Sequence, residues 1–526
     1  MRKRISVGFA VSSVLAVLPT IMAGQTATNS IKIDPAKMPR IARVDPRFQS
    51  YNVEMVEVTG GRFWKPYAST ATAHDEGGNQ PAAMPASLYE YRKPIDLSNS
   101  RLRRLAAALA PAYLRVSGTW ANSTYFQTDD GPAPANPPEG FRAVLTRAEW
   151  KGAIDFSNAV DAPIVTSFAI SSGARDASGA WTSAQAKALV DFTRANKGVI
   201  AAAEYMNEPT MPEMGGAPQG YDAKAFARDV KIFKTFLSAN SPQTLLLGPG
   251  GVGEGSQLTP AGLHFVTSDE MLKATGPIFD VFSYHTYGAV SSRCAAFGSA
   301  ATTSLSAALS EEWLARGDQS EQVYSKFRDQ FLPGKPMWNT ETGQAACGGD
   351  RWASTFADTF RYLNQLGALA RRGVQVQLHN TLAASDYGLL EEYTYQPRPD
   401  YWAALLWRKL MGITVLDAGA SPGRNLHLYA HCERSHAGGV VLLAINASED
   451  QAETLELSTR AVRYTLTAKE LTDRSVQLNG VELKLGTADA LPALNGENKP
   501  KGSVTLAPRS ITFLAMPGAK NAACRD

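Results

Sequence analysis

The chain has 526 residues, 44% of them hydrophobic and 19% charged, which excludes a disordered polymer and leaves room for a barrel of roughly 250–400 residues plus a second domain. It carries 52 basic and 49 acidic residues; three of the basic ones, Arg2, Lys3 and Arg4, fall within the first 23, so the remainder balances at 49 against 49. A neutral body argues against a nucleic-acid or general polyanion binder, and past the first residues no stretch reaches the roughly 18 uninterrupted apolar residues of a membrane span.

Taken in chain order, the three basic residues precede an apolar run over 5–22, and the small residues Ala23, Gly24 and Ala27 follow. This is the layout of a secretory signal, expected over 1–23, and Ser12, Ser13 and Pro19 interrupt the run against a permanent anchor. The expected location is secreted or periplasmic, with no membrane attachment once the signal is removed. Residues 24–50 are polar with scattered prolines and are expected to supply an edge strand that pairs with a C-terminal β-domain. From 51 to 415, eight short apolar, β-rich runs follow, over 52–58, 112–117, 163–170, 202–207, 244–248, 278–285, 336–340 and 373–378. Such runs suit strands buried on both faces of a parallel sheet. Helical patterns lie between them, for example over 99–109, 183–196, 223–240 and 353–371, with Ser183 as an N-cap and Gly373 as a stop. Strand–helix alternation eight times over predicts an α/β fold, a (β/α)8 TIM barrel. A Gly/Pro/Ala-rich loop occupies 131–140. Over 416–526 the pattern changes to short strands at 440–445, 461–466 and 503–516 with polar turns, which predicts a β-sandwich domain.

Four cysteines allow three pairings. Cys294 and Cys347 lie in the middle region and Cys432 and Cys524 in the C-terminal region, and in an exported chain pairing within each region is the simplest expectation. No CxxC or HExxH spacing appears, so neither a metal nor another cofactor is expected.

Two stretches carry the chemistry, Glu204-Tyr-Met-Asn-Glu-Pro-Thr210 and Trp338-Asn-Thr-Glu-Thr-Gly343. Each places a glutamate where a strand ends, and barrel enzymes act at the C-terminal ends of their strands. Glu208 and Glu341 are 133 residues apart in sequence, yet strands four and seven face one another across a barrel mouth. Two opposed carboxyls are what glycosidic cleavage needs, about 5–5.5 Å apart where configuration is retained. The expected roles are acid/base for Glu208 and nucleophile for Glu341. Asn207 is placed to donate to a sugar 2-hydroxyl, and His285 and Tyr287, after strand six, are placed to donate to Glu341 and hold it ionised.

Asn207-Glu208 and Glu341 resemble the catalytic motifs of clan A glycoside hydrolases, and further stretches are similar to those of glycoside hydrolase family 79, the heparanase and β-glucuronidase family. These are Pro111-Ala-Tyr-Leu-Arg-Val-Ser-Gly-Thr119, Tyr284-His-Thr-Tyr287, Glu341-Thr-Gly-Gln-Ala-Ala-Cys-Gly-Gly349, Asp386-Tyr-Gly-Leu389 and Pro399-Asp-Tyr-Trp402. The resemblance implies that backbone N–H groups of Gly348 and Gly349, with the hydroxyl of Tyr387, receive a uronic acid carboxylate; glycine lets such donors approach an anion closely. It implies sugar-hydroxyl binding by Glu54, with Glu57 as a rival and Asn122 and Trp120 as weaker candidates. His379-Asn380 and Cys347 depart from the family pattern and bear on fine specificity. The arginines Arg101, Arg103, Arg104, Arg371 and Arg372 sit on expected helices away from the mouth, so no dense basic cluster flanks the cleft, and no long excisable linker is present.

The implied activity is hydrolysis of β-linked glucuronic acid in an oligo- or polysaccharide with retention, exo- or endo-acting. Alternatives are another clan A activity, arabinofuranosidase or xylanase-like, and a non-catalytic carbohydrate-binding barrel.

Overall fold

The eight runs pair in parallel and close on themselves: β1 (Gln49–Glu54), β2 (Leu114–Ser117), β3 (Ile164–Thr166), β4 (Ile200–Glu204), β5 (Leu245–Gly251), β6 (Val281–Tyr287), β7 (Met337–Gly343) and β8 (Val376–His379), with β8 returning to β1 through the pair Gln377–Gln49. This is the (β/α)8 barrel. The computed structural model describes residues 1, 30–69, 85–255, 264–297, 302–419 and 425–525; the expected signal segment lies outside the described residues. An apolar layer contributed by Val165, Ala202, Leu247, Val281, Trp338 and Val376 packs within the strands, as a filled barrel requires.

The helices outside follow from local signals. Asn99 caps Ser100–Ala108 through bonds from Arg101 N and Leu102 N, and Asp222 does the same for Ala223–Asn240. Ser183 occupies the N-cap of Ala184–Ala195 without a side-chain bond. Gly373, at φ +81°, follows Phe356–Arg371 and ends it, its N–H reaching Ala370 O. That helix is buried along nearly its whole length because it is wedged between barrel and sandwich. A Cβ on its Gly367 would stand 2.3 Å from the Tyr429 ring, so only glycine admits the sandwich this close.

One expected element shifts. The run expected as a strand over 52–58 is β1 followed by the short helix Met55–Thr59. The valine-rich pattern favours a strand, but the Glu57 carboxylate accepts Glu54 N–H at 3.0 Å and turns the chain after Glu54.

The C-terminal part is a β-sandwich. One sheet runs Arg40–Arg43, Met411–Leu416, Leu426–Glu433, Val440–Asn446, Ser510–Met516, Ala461–Thr467, Gln477–Leu478, Val481–Glu482, with Glu497–Lys499 also on Ala461–Thr467; the other is Ile31–Ile33, Glu453–Leu457, Gly502–Leu506. Leu428, Leu442, Leu455, Val504 and Leu514 are in the core between them. Cys432 and Cys524 are bonded within the sandwich, and Cys294 and Cys347 within the barrel. No described helix is long and apolar enough to cross a membrane.

Candidate active site

β4 ends at Glu204, and the chain then bends through Tyr205, Met206 and Asn207 to Glu208. Glu208 sits at φ +49°, a left-handed conformation that costs a non-glycine residue on the order of 1 kcal/mol and here places the carboxyl at the barrel mouth. On the neighbouring strands, register sets His285 of β6 beside Glu341 of β7. A carboxylate oxygen of Glu208, a ring nitrogen of His285 and a carboxylate oxygen of Glu341 all lie within 4.8 Å of one another.

Both oxygens of Glu341 face donors. Tyr287 Oη–H donates to Oε1 at 2.6 Å and Arg115 Nη1 to Oε2 at 2.7 Å. Arg115, on β2, is 1% exposed and also donates to Glu204 Oε2 (2.8 Å) and Asn207 Oδ1 (2.7 Å). Glu204 completes its set by accepting from Thr340 Oγ1 at 2.8 Å. One buried guanidinium thus balances two carboxylates, an arrangement whose disruption costs about 3–5 kcal/mol because it leaves charge buried and unpaired. His285 Nδ1 is 3.1 Å from Glu208 Oε1 and 3.8 Å from Glu341 Oε2. The expected bond from His285 to Glu341 is therefore made to Glu208 instead, while Tyr287 bonds Glu341 as expected.

Burial pushes the Glu208 carboxyl above the ordinary carboxylate range; the His285 hydrogen bond opposes this and the Glu341 charge adds to it. For His285 burial acts downward, but Glu341 and the bond with Glu208 outweigh it and the imidazole is raised. For Glu204 burial acts upward, yet Arg115 prevails and holds the carboxyl below its usual range. Burial, reinforced by Glu341, lifts the Tyr287 phenol well above its ordinary value, so it remains a donor.

On the far side of the pocket stand Glu54 at the end of β1 and Asn380 after β8. Asn380 Nδ2 donates to Glu54 Oε1 (2.9 Å), Tyr287 Oη (3.0 Å) and Tyr387 Oη (3.2 Å). Burial, and then Glu341, raises Glu54 well above the carboxylate range. Glu54 Oε2, Asn380 Oδ1 and Trp120 Nε1 are buried with no protein partner among the described residues. Gly118 makes room for Glu54, because a Cβ there would fall 1.4 Å from Oε2. Gly348 and Gly349 both sit at φ +83°. The Gly349 N–H donates to Ala345 O at 3.1 Å, so of the two amides only that of Gly348 lacks a described partner.

Other expected residues take supporting places. Asn122 brackets Asn207, accepting from its N–H at 2.8 Å and donating to its carbonyl at 2.9 Å. Glu57 lies behind the pocket, bonded to Glu54 N–H and 3.5 Å from Arg92. Trp120 packs edge-on to Trp64 and Tyr89. His379 turns away from the pocket to Tyr387 O at 2.9 Å, and burial lowers its imidazole to about 4. Arg115, Glu204 and Asn380 were missed as site residues. The signal for the first two is a charged residue inside a strand buried on both faces, which requires an opposite charge beside it.

Residues 93–367 match the family described as "Glycosyl hydrolase family 79, N-terminal domain". The chain is 29% identical to Heparanase of Mus musculus over 489 residues, 81% of this chain and 88% of that protein. It is 26% identical to Baicalin-beta-D-glucuronidase of Scutellaria baicalensis over 481 residues, 81% and 84% of the two chains. Among solved structures, the 4-O-alpha-L-rhamnosyl-beta-D-glucuronidase of Fusarium oxysporum 12S superposes with a TM-score of 0.61 at 15% identity, covering 92% of this chain and 100% of that one, a likeness of fold. The chain belongs to glycosyl hydrolase family 79 and is a glycoside hydrolase.

Proposed function

We propose that the protein is an exported retaining β-glucuronidase, hydrolysing β-linked glucuronic acid by double displacement. The observation that carries this reading is the spacing of Glu208 and Glu341, whose oxygens approach within 4.8 Å. So close an approach is compatible with the retaining arrangement, whose carboxyl groups stand about 5–5.5 Å apart. Glu341 attacks the anomeric carbon; the Arg115 guanidinium and the Tyr287 hydroxyl fix its orientation and balance its charge. Glu208, whose carboxyl burial raises above the ordinary carboxylate range, protonates the leaving oxygen, then as carboxylate takes a proton from the water that releases the glycosyl enzyme. His285 holds Glu208 through its Nδ1, 3.1 Å from Oε1. Asn207 Oδ1 is occupied by Arg115, which leaves Nδ2 for the sugar 2-hydroxyl.

The substrate class rests on assigning the uronate carboxylate to the Gly348 N–H, which lacks a described partner, and to the Tyr387 hydroxyl, and on relatives whose names record a glucuronidase and heparanases. Glu54 reads sugar hydroxyls. The two disulfides accord with an oxidising compartment, hence with a secreted or periplasmic location. The test is hydrolysis of 4-nitrophenyl β-D-glucuronide beside the matching glucoside, with Glu341→Gln as control. Release from the glucuronide alone, abolished in the variant, is expected; equal rates on both substrates would remove the uronate assignment.

A further inference from the structure

Past the Gly348–Gly349 turn, the segment from Trp64 to Tyr67, which leaves the hairpin Gly61–Trp64/Tyr89–Arg92, reaches over to the loops that follow β6, β7 and β8. It is fastened to each. Tyr67 N–H donates to Asp386 Oδ2 at 3.1 Å, in the loop after β8. Tyr67 Oη lies 2.9 Å from Ser291 Oγ and 2.7 Å from Ser292 Oγ, in the loop after β6. Arg293 acts as the buckle. Its guanidinium stacks on the Tyr67 ring at 4.1 Å and bonds Lys65 O, Asp386 and Gly349 O, the last at 3.2 Å. Next to it, Cys294 is bonded to Cys347, which immediately precedes Gly348. Trp64 packs directly on the turn: a Cβ at Gly348 would stand 2.5 Å from the Trp64 Cβ.

In a β-D-glucuronide, C1 and C4 stand at opposite ends of the ring, and the C5 carboxylate is the neighbour of C4. With C1 between Glu208 and Glu341 and the carboxylate at Gly348 and Tyr387, as proposed above, the C4 hydroxyl would lie on the Gly348 side of the pocket, where Trp64 packs. We propose that the Trp64–Tyr67 segment walls off the pocket beyond C4, so that the enzyme accepts only a terminal, non-reducing glucuronic acid and is exo-acting. The proposal rests on the glucuronidase reading above.

The test compares 4-nitrophenyl β-D-glucuronide with its 4-O-methyl ether on the wild-type chain, and examines the products from an even-numbered, glucuronate-terminated glycosaminoglycan oligosaccharide. The expected result is cleavage of the unsubstituted glucuronide, a 4-O-methyl rate lower by at least about a hundredfold, and loss of one terminal residue from the oligosaccharide. Tyr67→Ala, which cuts the segment's ties to β6 without touching the glutamates, is expected to narrow the gap between the two aryl substrates. Rates on those substrates within about threefold of each other, or internal cleavage of the oligosaccharide, would overturn the exo assignment while leaving the glucuronidase reading intact. No release from any glucuronide would overturn both.

Discussion

The two sides of this pocket are built on opposite principles. On the side of β2, β4, β6 and β7, Glu204 and Glu341 each have a donor on both oxygens, and Arg115 supplies the balancing charge. On the other side, at the end of β1, after β8 and in the turn after β2, Glu54 Oε2, Asn380 Oδ1 and Trp120 Nε1 are buried without a protein partner among the described residues, each at a cost of about 1–3 kcal/mol. The first half is set before a substrate arrives, which is what electrostatic preorganisation requires. The second half presents polar atoms left over by the protein, which the proposed function pairs with sugar hydroxyls. Chemistry and recognition are therefore separable by mutation.

The sharpest break lies in the first half. Glu341→Gln removes the proposed nucleophile and is expected to lower kcat by about a millionfold, measured on 4-nitrophenyl β-D-glucuronide. Glu208→Gln is expected to cost about a hundredfold to ten-thousandfold on glucuronides with poor leaving groups, and far less at the glycosylation step for activated phenols, which a leaving-group series reads directly. The same residue is expected to set the alkaline limb of the pH profile. An acid must be protonated to act, so kcat/KM falls as pH rises through the raised Glu208 pKa, and Glu208→Gln removes that limb. Tyr287→Phe takes one hydrogen bond from Glu341 and is expected to lower kcat by about tenfold to a hundredfold with little change in KM.

The second half is expected to answer differently. Glu54→Ala raises KM by about tenfold and moves kcat less, while Glu54→Gln, which resembles the neutral acid favoured by burial, retains most of the affinity. The smallest effect concerns stability. Burial pushes Glu57 up to about 7. A carboxyl raised on folding contributes stability that is complete below its unfolded pKa and is lost as pH rises through the folded one. The melting temperature is thus expected to fall between about pH 4.5 and about pH 7, and by less in Glu57→Gln.

The barrel was legible because its strands are short, apolar and buried on both faces, a pattern that survives without any tertiary information. The cysteine pairs were legible from their regional grouping. Where a single hydrogen bond overrides propensity the sequence misleads, as at Met55–Thr59, where the Glu57 carboxylate turns a valine-rich run into a helix. The two glutamates stood out by strand-end position, but Arg115 sat unremarked inside an apolar run, although a cation there demands the anions it meets. His285 was assigned the wrong glutamate because Glu208 and Glu341 converge on it from different strands, a distance no spacing encodes. The fully occupied Gly349 amide and the ties of Arg293 to Lys65, Gly349 and Asp386 belong to loop geometry alone.

The most direct measurement is trapping with 2-deoxy-2-fluoro-β-D-glucuronyl fluoride, followed by peptide mass spectrometry. Time-dependent inactivation with a single label on Glu341, absent in Glu341→Gln, is the result predicted. A label on another residue, or hydrolysis of a β-glucuronide that releases the α-anomer first, would contradict the double-displacement account.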